Sequence, residues 1–285
     1  MKTLKQKITT LIEALPYIQR YHGKIVVIKY GGNAMIRPSL KKSVITDIVL
    51  LKHVGINPII VHGGGPDVNK AMAKEGMGPK FVKGLRVTDE KTMKIVEKVF
   101  EGINQEMCKY IKKAGGKSLC VSGRDHKLIS VKQKDKALGF VGDIKSIHPA
   151  IITSVIKENY IPVVSPIGVS SDNEVYNINA DTAASALAIA LRAEKLTILT
   201  NVEGVYDGGS LISQLTIRAA KNKIQKGVIR KGMIPKVEAC VEAVKNGCQK
   251  AHLIDGTMKH SLLLEIFTDK GVGTEIIKNE KSRGF

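Results

Sequence analysis

Apolar positions along the chain follow two alternating patterns, short continuous runs and longer stretches at helical spacing. The first run, residues 25–28, is Ile-Val-Val-Ile, and a second run ends at Val61. Runs of this length and β-branched composition are typical of strands buried on both faces. Similar strands are predicted at residues 119–121, 161–164, 195–199, 251–254 and 274–277. Because helical spacing returns between the runs, the pattern predicts an α/β fold, a three-layer αβα sandwich with a mainly parallel open sheet.

The intervening stretches predict helices and two β-ribbons. Helices are expected at residues 40–53, 67–74, 89–113, 149–158, 182–192, 216–225, 234–246 and 259–267, and ribbons at 80–88 and 128–146. An extra N-terminal helix, residues 3–20, precedes the first strand, and Pro16 predicts a kink or a break in it. A length of 285 residues favours two lobes. We place the N-terminal lobe at residues 1–193 and the C-terminal lobe at 194–285.

Two of the predicted strands end in glycine-rich turns. Lys29 closes the first strand and is followed by Gly31-Gly32, and the second strand continues through His62 into the glycines at 63–65. In an open α/β sheet, ligands bind beyond the carboxyl ends of the strands. Glycine lets backbone N–H groups approach an anion closely, and lysine adds a positive charge. The two turns therefore predict a phosphate or carboxylate site.

Composition narrows the class of partner. The formal net charge of +19 raises nucleic acid as a partner. The 45 basic residues are, however, 37 Lys and only 8 Arg, spread through the predicted helices without a basic tail, and the aromatic content of 4% is too low for base stacking. We interpret the charge as lysine on solvated helix faces that helps to recruit anionic substrates, and we expect no nucleic acid partner.

The cysteines and the hydropathy pattern indicate the cellular compartment. Cys108, Cys120, Cys240 and Cys248 form no CxxC pair and no zinc spacing, so we expect reduced thiols. No apolar stretch approaches the roughly 18 residues that span a bilayer, and the N-terminus lacks a secretory signal. The sequence predicts a cytoplasmic protein, or one of the plastid stroma if it is organelle-encoded, with no membrane partner.

Three motifs that would indicate other chemistry are incomplete. Gly116-Lys117-Ser118 resembles the end of a P-loop, but the glycine required five residues earlier is Ile111. His62 and the glycines after it resemble the oxyanion segment of α/β-hydrolases, but the chain has no G-x-S-x-G nucleophile elbow. No G-x-G-x-x-G follows a strand, which disfavours dinucleotide binding.

Charged and amide side chains at the other strand ends suit phosphoryl transfer. They are Lys29, Arg86, Asn177, Asn179, Asp181 and Lys236. Phosphoryl transfer requires positive charge positioned around the moving group, which two lysines and glycine N–H groups can supply. A carboxylate such as Asp181 could hold both lysines. If the acceptor is itself a carboxylate, with an ordinary pKa of about 4.3, no catalytic base is required at neutral pH.

These residues also have structural interpretations. Asp181 could be only the N-cap of the following helix, and Arg86 could form a structural ion pair. Asn177 and Asn179 could be turn residues, and the glycines of the second turn could serve only its tight geometry. A lysine such as Lys236 at the start of a helix opposes the helix dipole, which favours a functional reason.

Five segments together resemble the acetylglutamate kinases of the amino-acid kinase superfamily. They are Lys29-Tyr-Gly-Gly-Asn-Ala, Val61-His-Gly-Gly-Gly-Pro, Gly84-Leu-Arg-Val-Thr, Asn177-Ile-Asn-Ala-Asp-Thr-Ala-Ala and Gly232-Met-Ile-Pro-Lys. The match is collinear and covers nearly the whole chain. The resemblance implies ATP-dependent phosphorylation of the γ-carboxylate of N-acetyl-L-glutamate, the second step of arginine biosynthesis.

The resemblance also implies residue roles, position by position. It gives catalytic roles to Lys29, Lys236 and Asp181. It assigns the acyl amino acid to Gly63, Gly64, Arg86, Asn177 and Asn179. It assigns the nucleotide to Gly31, Gly32, Thr200, Asn201, Val202, Gly204, Tyr206, Gly232 and Met233. Some relatives carry Asp where this chain has Asn201, and Mg²⁺ would accompany ATP, held mainly by its phosphates, with no ligand from a protein side chain.

The C-terminal block from His260 to Thr274, His-Ser-Leu-Leu-Leu-Glu-Ile-Phe-Thr-Asp-Lys-Gly-Val-Gly-Thr, resembles the arginine-inhibited branch of the family. That branch is a hexamer in which the extra N-terminal helix interlaces dimers, with arginine bound beside it. The implied effector residues are Tyr17, Lys195, His252, Glu265 and Gly271. The alternative is a terminal helix and strand that only complete the sheet. A PII-type signalling protein is a further partner of some relatives, for which this sequence carries no marker.

Two other functions stay open at this point. Another kinase of the superfamily could phosphorylate carbamate, aspartate or glutamate, against which Arg86 and the Asn177 motif argue. A regulatory or nucleic-acid-binding protein could have kept the fold without activity. The presence of Lys29, Asp181 and Lys236 together argues against that second function.

Overall fold

The computed structural model describes residues 4–32, 35, 37–82, 84–268 and 271–278, with Lys7 described by its backbone alone. The helices are α1 Leu4–Tyr21, α2 Pro38–His53, α3 Gly65–Lys74, α4 Glu90–Lys113, α5 Ala150–Lys157, α6 Ala180–Ala190, α7 Ile217–Gln225, α8 Met233–Lys245 and α9 Ser261–Ile266. The strands up to residue 200 are β1 Ile25–Tyr30, β2 Asn57–His62, β3 Phe81–Val82, β4 Leu85–Arg86, β5 Ser118–Ser122, β6 Ile129–Gln133, β7 Gly142–Ile147, β8 Ile161–Ser165, β9 Ile167–Val169, β10 Val175–Asn177 and β11 Lys195–Thr200. The later strands are β12 Tyr206–Asp207, β13 Ser210–Leu211, β14 Gln214–Thr216, β15 Lys250–Asp255 and β16 Thr274–Ile277.

One eight-stranded sheet organises the chain, in the order β14-β16-β15-β11-β1-β2-β8-β5. All its neighbouring strands are parallel except β15 and β16, which are antiparallel. Strands β6, β7, β9 and β10 form a second sheet, and β3 pairs with β4 as a short hairpin. The prediction of an α/β fold with a mainly parallel open sheet is confirmed.

Two hydrophobic cores lie on opposite faces of the large sheet. Along β1, Val26 and Ile28 belong to the core that packs on α2 and α4, whereas Val27 belongs to the core that packs on α6 and α8. Successive side chains of a strand point to opposite faces, so a strand buried on both sides is apolar throughout. This explains the continuous Ile-Val-Val-Ile run and confirms the three-layer arrangement.

The local structure differs from the prediction in two respects, at Pro16 and in the shortest strands. Helix α1 continues through Pro16 without the predicted break. Pro16 removes one backbone donor, and the carbonyl it leaves free belongs to Ile12, which is 64% exposed and open to water. Five strands of two or three residues were not predicted, because runs this short lie inside the uncertainty of element boundaries: β9, β10, β12, β13 and β14.

The large sheet is continuous across the proposed lobe boundary at residues 193 and 194. Strands β1, β2, β8 and β5 come from the first part of the chain, and β11, β15, β16 and β14 come from the second. The two lobes are thus halves of one sheet, and their division stays a proposal. None of the described helices is long and apolar enough to cross a membrane.

Candidate active site

A cavity of about 270 Å³ opens beyond the carboxyl ends of β1 and β2. Its walls are formed by the ends of these strands, by the β3–β4 hairpin, and by residues at the starts of α3, α6 and α8. The cavity therefore lies at the edge of the sheet where α/β proteins bind ligands. The N-terminus of a helix presents unpaired N–H groups and the positive end of its dipole, so three helix starts at one cavity favour an anion.

Lys29, Asp181 and Lys236 meet in this cavity. Lys29 Nζ lies 3.0 Å from Asp181 Oδ1 in ion-pair contact, and Lys236 Nζ donates a hydrogen bond to Asp181 Oδ2 at 2.8 Å. Lys29 and Asp181 are buried, while the side chain of Lys236 is 23% exposed. One carboxylate, from the first turn of α6, thus holds two ammonium groups, one from β1 and one from the first turn of α8.

Burial affects these charges in different ways. It lowers the pKa of Lys29; Asp181 opposes this shift and Lys236 adds to it. Burial alone would raise the pKa of Asp181, but the two lysines hold that pKa below its usual value. Asp181 is therefore ionised at neutral pH, and its charge helps to keep Lys29 protonated.

Asn179, not Asp181, caps helix α6. The Asn179 side-chain oxygen accepts hydrogen bonds from the backbone N–H of Asp181 at 2.9 Å and of Thr182 at 3.1 Å. The interpretation of Asp181 as the cap is therefore wrong. Because Asn179 satisfies these two donors, the Asp181 carboxylate is available to both lysines.

The first glycine turn makes room for Lys29. A Cβ on Gly31 would lie 3.1 Å from Lys29 Nζ, which is tighter than ordinary contact. Gly32 has a φ of +69°, a conformation that favours glycine, and it lines the cavity. Asn33 and Ala34, which complete this motif, lie outside the described residues.

The second glycine turn packs against the first and against α4. The Gly63 N–H donates a hydrogen bond to the Tyr30 carbonyl at 2.7 Å. A Cβ on Gly64 would lie 2.8 Å from the side chains of both Phe100 and Ile103, so no larger residue fits there without displacement. Both glycines line the cavity, which goes beyond the tight-turn interpretation.

Arg86, on β4, is held in the cavity wall by α3. Its Nη2 donates hydrogen bonds to Asn69 Oδ1 at 2.5 Å and to the Gly65 carbonyl at 3.2 Å, and its guanidinium lies 5.0 Å from the centroid of the Phe81 ring. Among the described residues no carboxylate pairs with Arg86. The interpretation of Arg86 as one half of a structural ion pair is therefore wrong, and its positive charge is left for a ligand.

Asn177 is the last residue of β10 rather than a turn residue. It lines the cavity, and its Nδ2 lies 3.4 Å from Thr88 Oγ1, to which it donates a hydrogen bond. Thr88 is fully buried and in turn donates to the Arg86 carbonyl at 3.0 Å. Two of the sequence motifs are thus connected by side chains at the same wall of the cavity.

The cavity carries an excess of positive charge. Of the described residues that line it, Lys29, Arg86 and Lys236 are cationic and Asp181 alone carries a carboxylate. Apolar side chains, among them Val68 and Phe100, complete its walls. Within the described residues no three His, Cys, Asp or Glu side chains form a group that could hold a metal ion. The arrangement suits a small ligand that carries more than one negative charge and some apolar surface.

Five of the residues assigned to the nucleotide lie in or near this cavity: Gly31 and Gly32 of the first glycine turn, together with Asn201, Gly232 and Met233. A Cβ on Gly32 would be 3.1 Å from Asn201 Oδ1, so Asn201 lies against the first glycine turn. Gly232 is the N-cap of α8 and Met233 is its first residue, one turn before Lys236.

The other residues assigned to the nucleotide shape the loop after β11. Thr200 Oγ1 accepts a hydrogen bond from the Val202 N–H at 3.0 Å, and the Tyr206 hydroxyl donates to a Glu203 carboxylate oxygen. A Cβ on Gly204 would be 2.5 Å from Thr274 Oγ1, so the glycine there permits close packing on β16. None of Thr200, Val202, Gly204 and Tyr206 lines the cavity that holds the two lysines.

Most of the residues assigned to arginine form a second buried cluster, which we call the Glu265 cluster: Lys195, His252, Glu265 and Gly271. Glu265 Oε1 lies 2.7 Å from Lys195 Nζ and 2.9 Å from His252 Nε2. A Cβ on Gly271 would be 2.6 Å from Glu265 Oε2. Burial would raise the pKa of Glu265, but His252 and Lys195 lower it to about 2. Tyr17 lies on α1, one turn before Tyr21, whose ring centroid is 5.4 Å from Lys195 Nζ.

Sequence reasoning missed the residues that support these two sites. Asn69 fixes Arg86, and it lies one helical turn after Gly65, a spacing that could have indicated it. Asp47, fully buried on α2, lies 2.6 Å from His260 Nδ1 and connects α2 to the start of α9. No local pattern indicates this pair, because its two residues are 213 positions apart.

Comparisons with known proteins point to one family. The model of the amino acid kinase family matches residues 24–255. The acetylglutamate kinase of Desulforamulus reducens (strain ATCC BAA-1160 / DSM 100696 / MI-1) is 49% identical over 282 residues, which cover 96% of this chain and 98% of that protein. That of Thermoanaerobacter pseudethanolicus (strain ATCC 33223 / 39E) is 51% identical over 280 residues, 95% of this chain and 93% of that protein.

Among solved structures, the N-acetylglutamate synthase of Neisseria gonorrhoeae complexed with coenzyme A and L-arginine has a similar fold. The TM-score is 0.83 at 23% sequence identity, and the match covers 98% of this chain and 66% of the synthase chain. At this identity the likeness concerns the fold alone, and this chain spans somewhat less than two thirds of the synthase.

Proposed function

The chain belongs to the amino acid kinase family and, within it, to the acetylglutamate kinases, and we propose that the cavity of Lys29, Asp181 and Lys236 is where it phosphorylates N-acetyl-L-glutamate. The reaction transfers the γ-phosphoryl group of ATP to the γ-carboxylate of the substrate, a step of arginine biosynthesis. An oxygen of that carboxylate forms the new bond to phosphorus, and the bond from phosphorus to the β–γ bridging oxygen breaks to release ADP.

The two lysines provide the positive charge that this transfer needs. Both ammonium groups lie within 3.0 Å of Asp181 and therefore close to each other, so that a phosphoryl group between them is neutralised from two sides. Asp181 fixes their positions and keeps Lys29 protonated despite its burial. Mg²⁺ would enter with ATP and be held mainly by the phosphates, where it offsets their charge.

The opposite wall of the cavity suits the acyl amino acid. The planar fork of Arg86 matches the α-carboxylate, and the turn of Gly63 and Gly64 at the start of α3 has no side chains, so the substrate can approach the backbone closely. Asn177 is placed to bind the acetamido group, and Asn179 supports it from the cap of α6. Val68 and Phe100 can contact the acetyl methyl group. We assign acetylglutamate to the lobe of residues 1–193 and ATP to the lobe of residues 194–285, against Asn201 and the start of α8.

The observation that carries this proposal is a cavity with three cationic side chains and one carboxylate that is already paired with two of them. A carboxylate acceptor is ionised at neutral pH, so the site requires no catalytic base. No histidine lines the cavity among the described residues. A hydroxyl acceptor must lose a proton during the transfer, so a site without a base favours a carboxylate acceptor over a hydroxyl.

A coupled assay of ADP release tests the function. N-acetyl-L-glutamate, L-glutamate, L-aspartate and carbamate are offered separately with ATP and Mg²⁺. We expect turnover with N-acetyl-L-glutamate, and kcat/KM at least about 10²-fold lower for glutamate, because its ammonium group would face Arg86 and the dipole ends without an acetyl group to neutralise it. Preferential turnover of carbamate or aspartate would refute the proposal.

We also assign feedback inhibition by L-arginine to the Glu265 cluster. The carboxylate is buried beside a lysine and a histidine, and the backbone N–H of Val272 donates to its second oxygen at 2.8 Å. An arginine guanidinium would replace Lys195 or His252 as the partner of Glu265 and would be recognised in a bidentate way. Tyr21 of α1 closes the cluster on one side, which places it next to the N-terminal helix.

Helix α1 supports an assembly of several copies. Its apolar residues face solvent with exposures of 49 to 79%, and their spacing puts them on one face of the helix: Leu4, Ile8, Leu11, Ile12 and Leu15. Such a stripe is typical of a surface covered by a partner, and we propose that α1 of a second copy covers it and joins dimers into a hexamer. Removal of residues 1–20 should reduce a hexamer to a dimer in sedimentation and leave kcat nearly unchanged. A truncated protein that stays hexameric would refute this assembly.

The cellular setting follows from the reaction. We place the enzyme in the cytoplasm, where ATP and reduced cysteines coexist. The relatives reported above are bacterial and give no support to a plastid location. We assign no residue of this chain to a PII-type partner.

A further inference from the structure

His62 is the last residue of β2 and precedes the second glycine turn directly. It is fully buried, and its ring packs edge-on against Phe100, with 5.6 Å between the ring centroids and an interplanar angle of 86°. It does not line the cavity, and the transfer proposed above gives it no role. A histidine at this position thus needs another explanation.

The ring has two polar neighbours, the carbonyl oxygen of Gly63 and the side chain of Asn104. His62 Nδ1 lies 3.0 Å from the carbonyl oxygen of Gly63. A carbonyl oxygen can only accept a hydrogen bond, so Nδ1 carries the proton and donates. Burial lowers the pKa of His62 to about 4, although the Gly63 carbonyl and the nearby Asn104 act in the opposite direction. The ring is therefore neutral near pH 7, with its single proton on Nδ1.

This contact fixes the orientation of the peptide between Gly63 and Gly64. In a planar trans peptide, the carbonyl oxygen and the N–H of the next residue point in opposite directions. Holding the Gly63 oxygen against the buried ring turns the Gly64 N–H away from the ring. Among the described residues no protein acceptor binds the Gly64 N–H, whereas the Gly63 N–H is already bonded to the Tyr30 carbonyl. The Gly64 N–H is thus a donor of this turn without an acceptor among the described residues.

We propose that His62 is a positioning residue for phosphoryl transfer: its Nδ1–H holds the Gly63 carbonyl so that the Gly64 N–H faces the cavity and donates to an oxygen of the transferring phosphoryl group. The inference rests on the proposed function of the cavity. Glycine at position 64 removes any side chain that would fix the peptide, so this flexible turn needs an external hydrogen bond to hold one orientation. His62 provides it from a site that water does not reach.

Three substitutions separate positioning from packing. In His62→Asn the side-chain amide nitrogen can take the place of Nδ1, in His62→Gln it takes the place of Nε2, and His62→Leu has no donor. A misplaced donor typically costs about 10²-fold in rate. We therefore expect kcat of the Gln and Leu variants to fall about 10- to 100-fold with KM for both substrates changed less than about threefold. The Asn variant should retain kcat within about threefold.

Equal losses of kcat in the folded Asn and Gln variants would overturn the proposal, and so would an unchanged kcat in the Gln and Leu variants. The tautomer can be tested without substitution, by ¹⁵N NMR of imidazole-labelled full-length protein near pH 7. We expect the Nδ1–H form, and finding the Nε2–H form would overturn the proposal even if every variant failed to fold. Failure of the unsubstituted protein to phosphorylate N-acetyl-L-glutamate would refute the proposed function instead, and the tautomer result would stand apart from it.

Discussion

Asp181→Asn tests whether one carboxylate keeps two lysines charged and in place. The substitution preserves the shape of the side chain but removes the charge that lies 3.0 Å from Lys29 Nζ and 2.8 Å from Lys236 Nζ. Two opposite unit charges 3.0 Å apart attract by about 5 kcal/mol at an effective dielectric constant of about 20. Desolvation offsets part of this attraction in the wild type, but in the variant the buried Lys29 keeps the desolvation cost without a partner.

The activity of the Asp181→Asn variant should depend on pH in a direction that follows from this loss of charge. Burial already lowers the pKa of Lys29, and Asp181 is what opposes that shift. Without Asp181 the pKa of Lys29 falls further, and Lys29 loses its proton as the pH rises through this lowered value. We expect kcat to be roughly 10²- to 10³-fold lower than in the wild type at neutral pH, the usual effect of losing one electrostatic contact to the transition state. The variant should lose further activity as the pH rises, over a range in which the wild type stays constant.

The assay is coupled ADP release at saturating N-acetyl-L-glutamate and ATP, from mildly acidic to alkaline pH. Asp143→Asn is the matched control, because Asp143 also lies between two lysines, Lys132 at 3.9 Å and Lys134 at 3.5 Å, but at the surface. Exposed pairs of this kind contribute little, and kcat should change less than about twofold. A folded Asp181→Asn variant with kcat within about tenfold of the wild type and a parallel pH profile would refute the reasoning.

Three further substitutions test the rest of the structure. Arg86→Lys keeps the charge but not the planar fork, so KM for N-acetyl-L-glutamate should rise about tenfold or more while KM for ATP changes little. A change in KM for ATP alone would place Arg86 in the ATP-binding half of the site. Burial raises the pKa of Asp47 to about 6, so the free energy of unfolding falls by up to about 3 kcal/mol as the pH rises from about 4 to about 6. Above about pH 6, Asp47→Asn should therefore be more stable than the wild type in denaturant titrations. Equal stability of the two proteins there would contradict the burial argument. The pKa of Glu265 is lowered to about 2, so its pairing adds about 3 kcal/mol to the free energy of unfolding above about pH 4.5. This contribution is lost as the pH falls toward about 2. Glu265→Gln should remove this acid dependence of the free energy of unfolding.

The fold and the position of the site could be predicted because both depend on local patterns. Strands buried on both faces must be apolar throughout, so β1 and β2 are visible as runs, and helices between them imply parallel pairing. Parallel strands place their carboxyl ends at one edge of the sheet. The proximity of Lys29 to the glycines at 63–65 therefore follows from these two strands alone. Lys236 and Asp181 come from helices far along the chain; the sequence indicated them as candidates by charge, and the resemblance to a family gave them their roles.

The supporting residues could not be predicted, because their roles depend on contacts between distant elements. Asp47 on α2 and His260 before α9 are ordinary polar residues in sequence, and only the packing of the two helices brings them within 2.6 Å. The same holds for Tyr21, the last residue of α1, which is buried and meets Lys195 of the distant strand β11. Asp181 was open to interpretation as a helix cap because an acidic residue near a helix start suits both roles, and only the geometry of Asn179 decides between them.

The two buried charge clusters lie toward opposite ends of neighbouring strands. Lys29 is near the carboxyl end of β1, and Lys195 is the first residue of β11, where it pairs in register with Val26. Three residues of strand separate the two levels, about 10 Å along the sheet. The Glu265 cluster thus lies at a different level of the sheet from the cavity of Lys29, Asp181 and Lys236, and the proposed inhibition by arginine requires two states of the protein that bind arginine differently. Glu265→Gln should consequently weaken inhibition by L-arginine at least about tenfold while the folded variant, without arginine, keeps kcat within about twofold of the wild type. A large loss of kcat without arginine, in a variant that is folded, would contradict the independence of the two clusters.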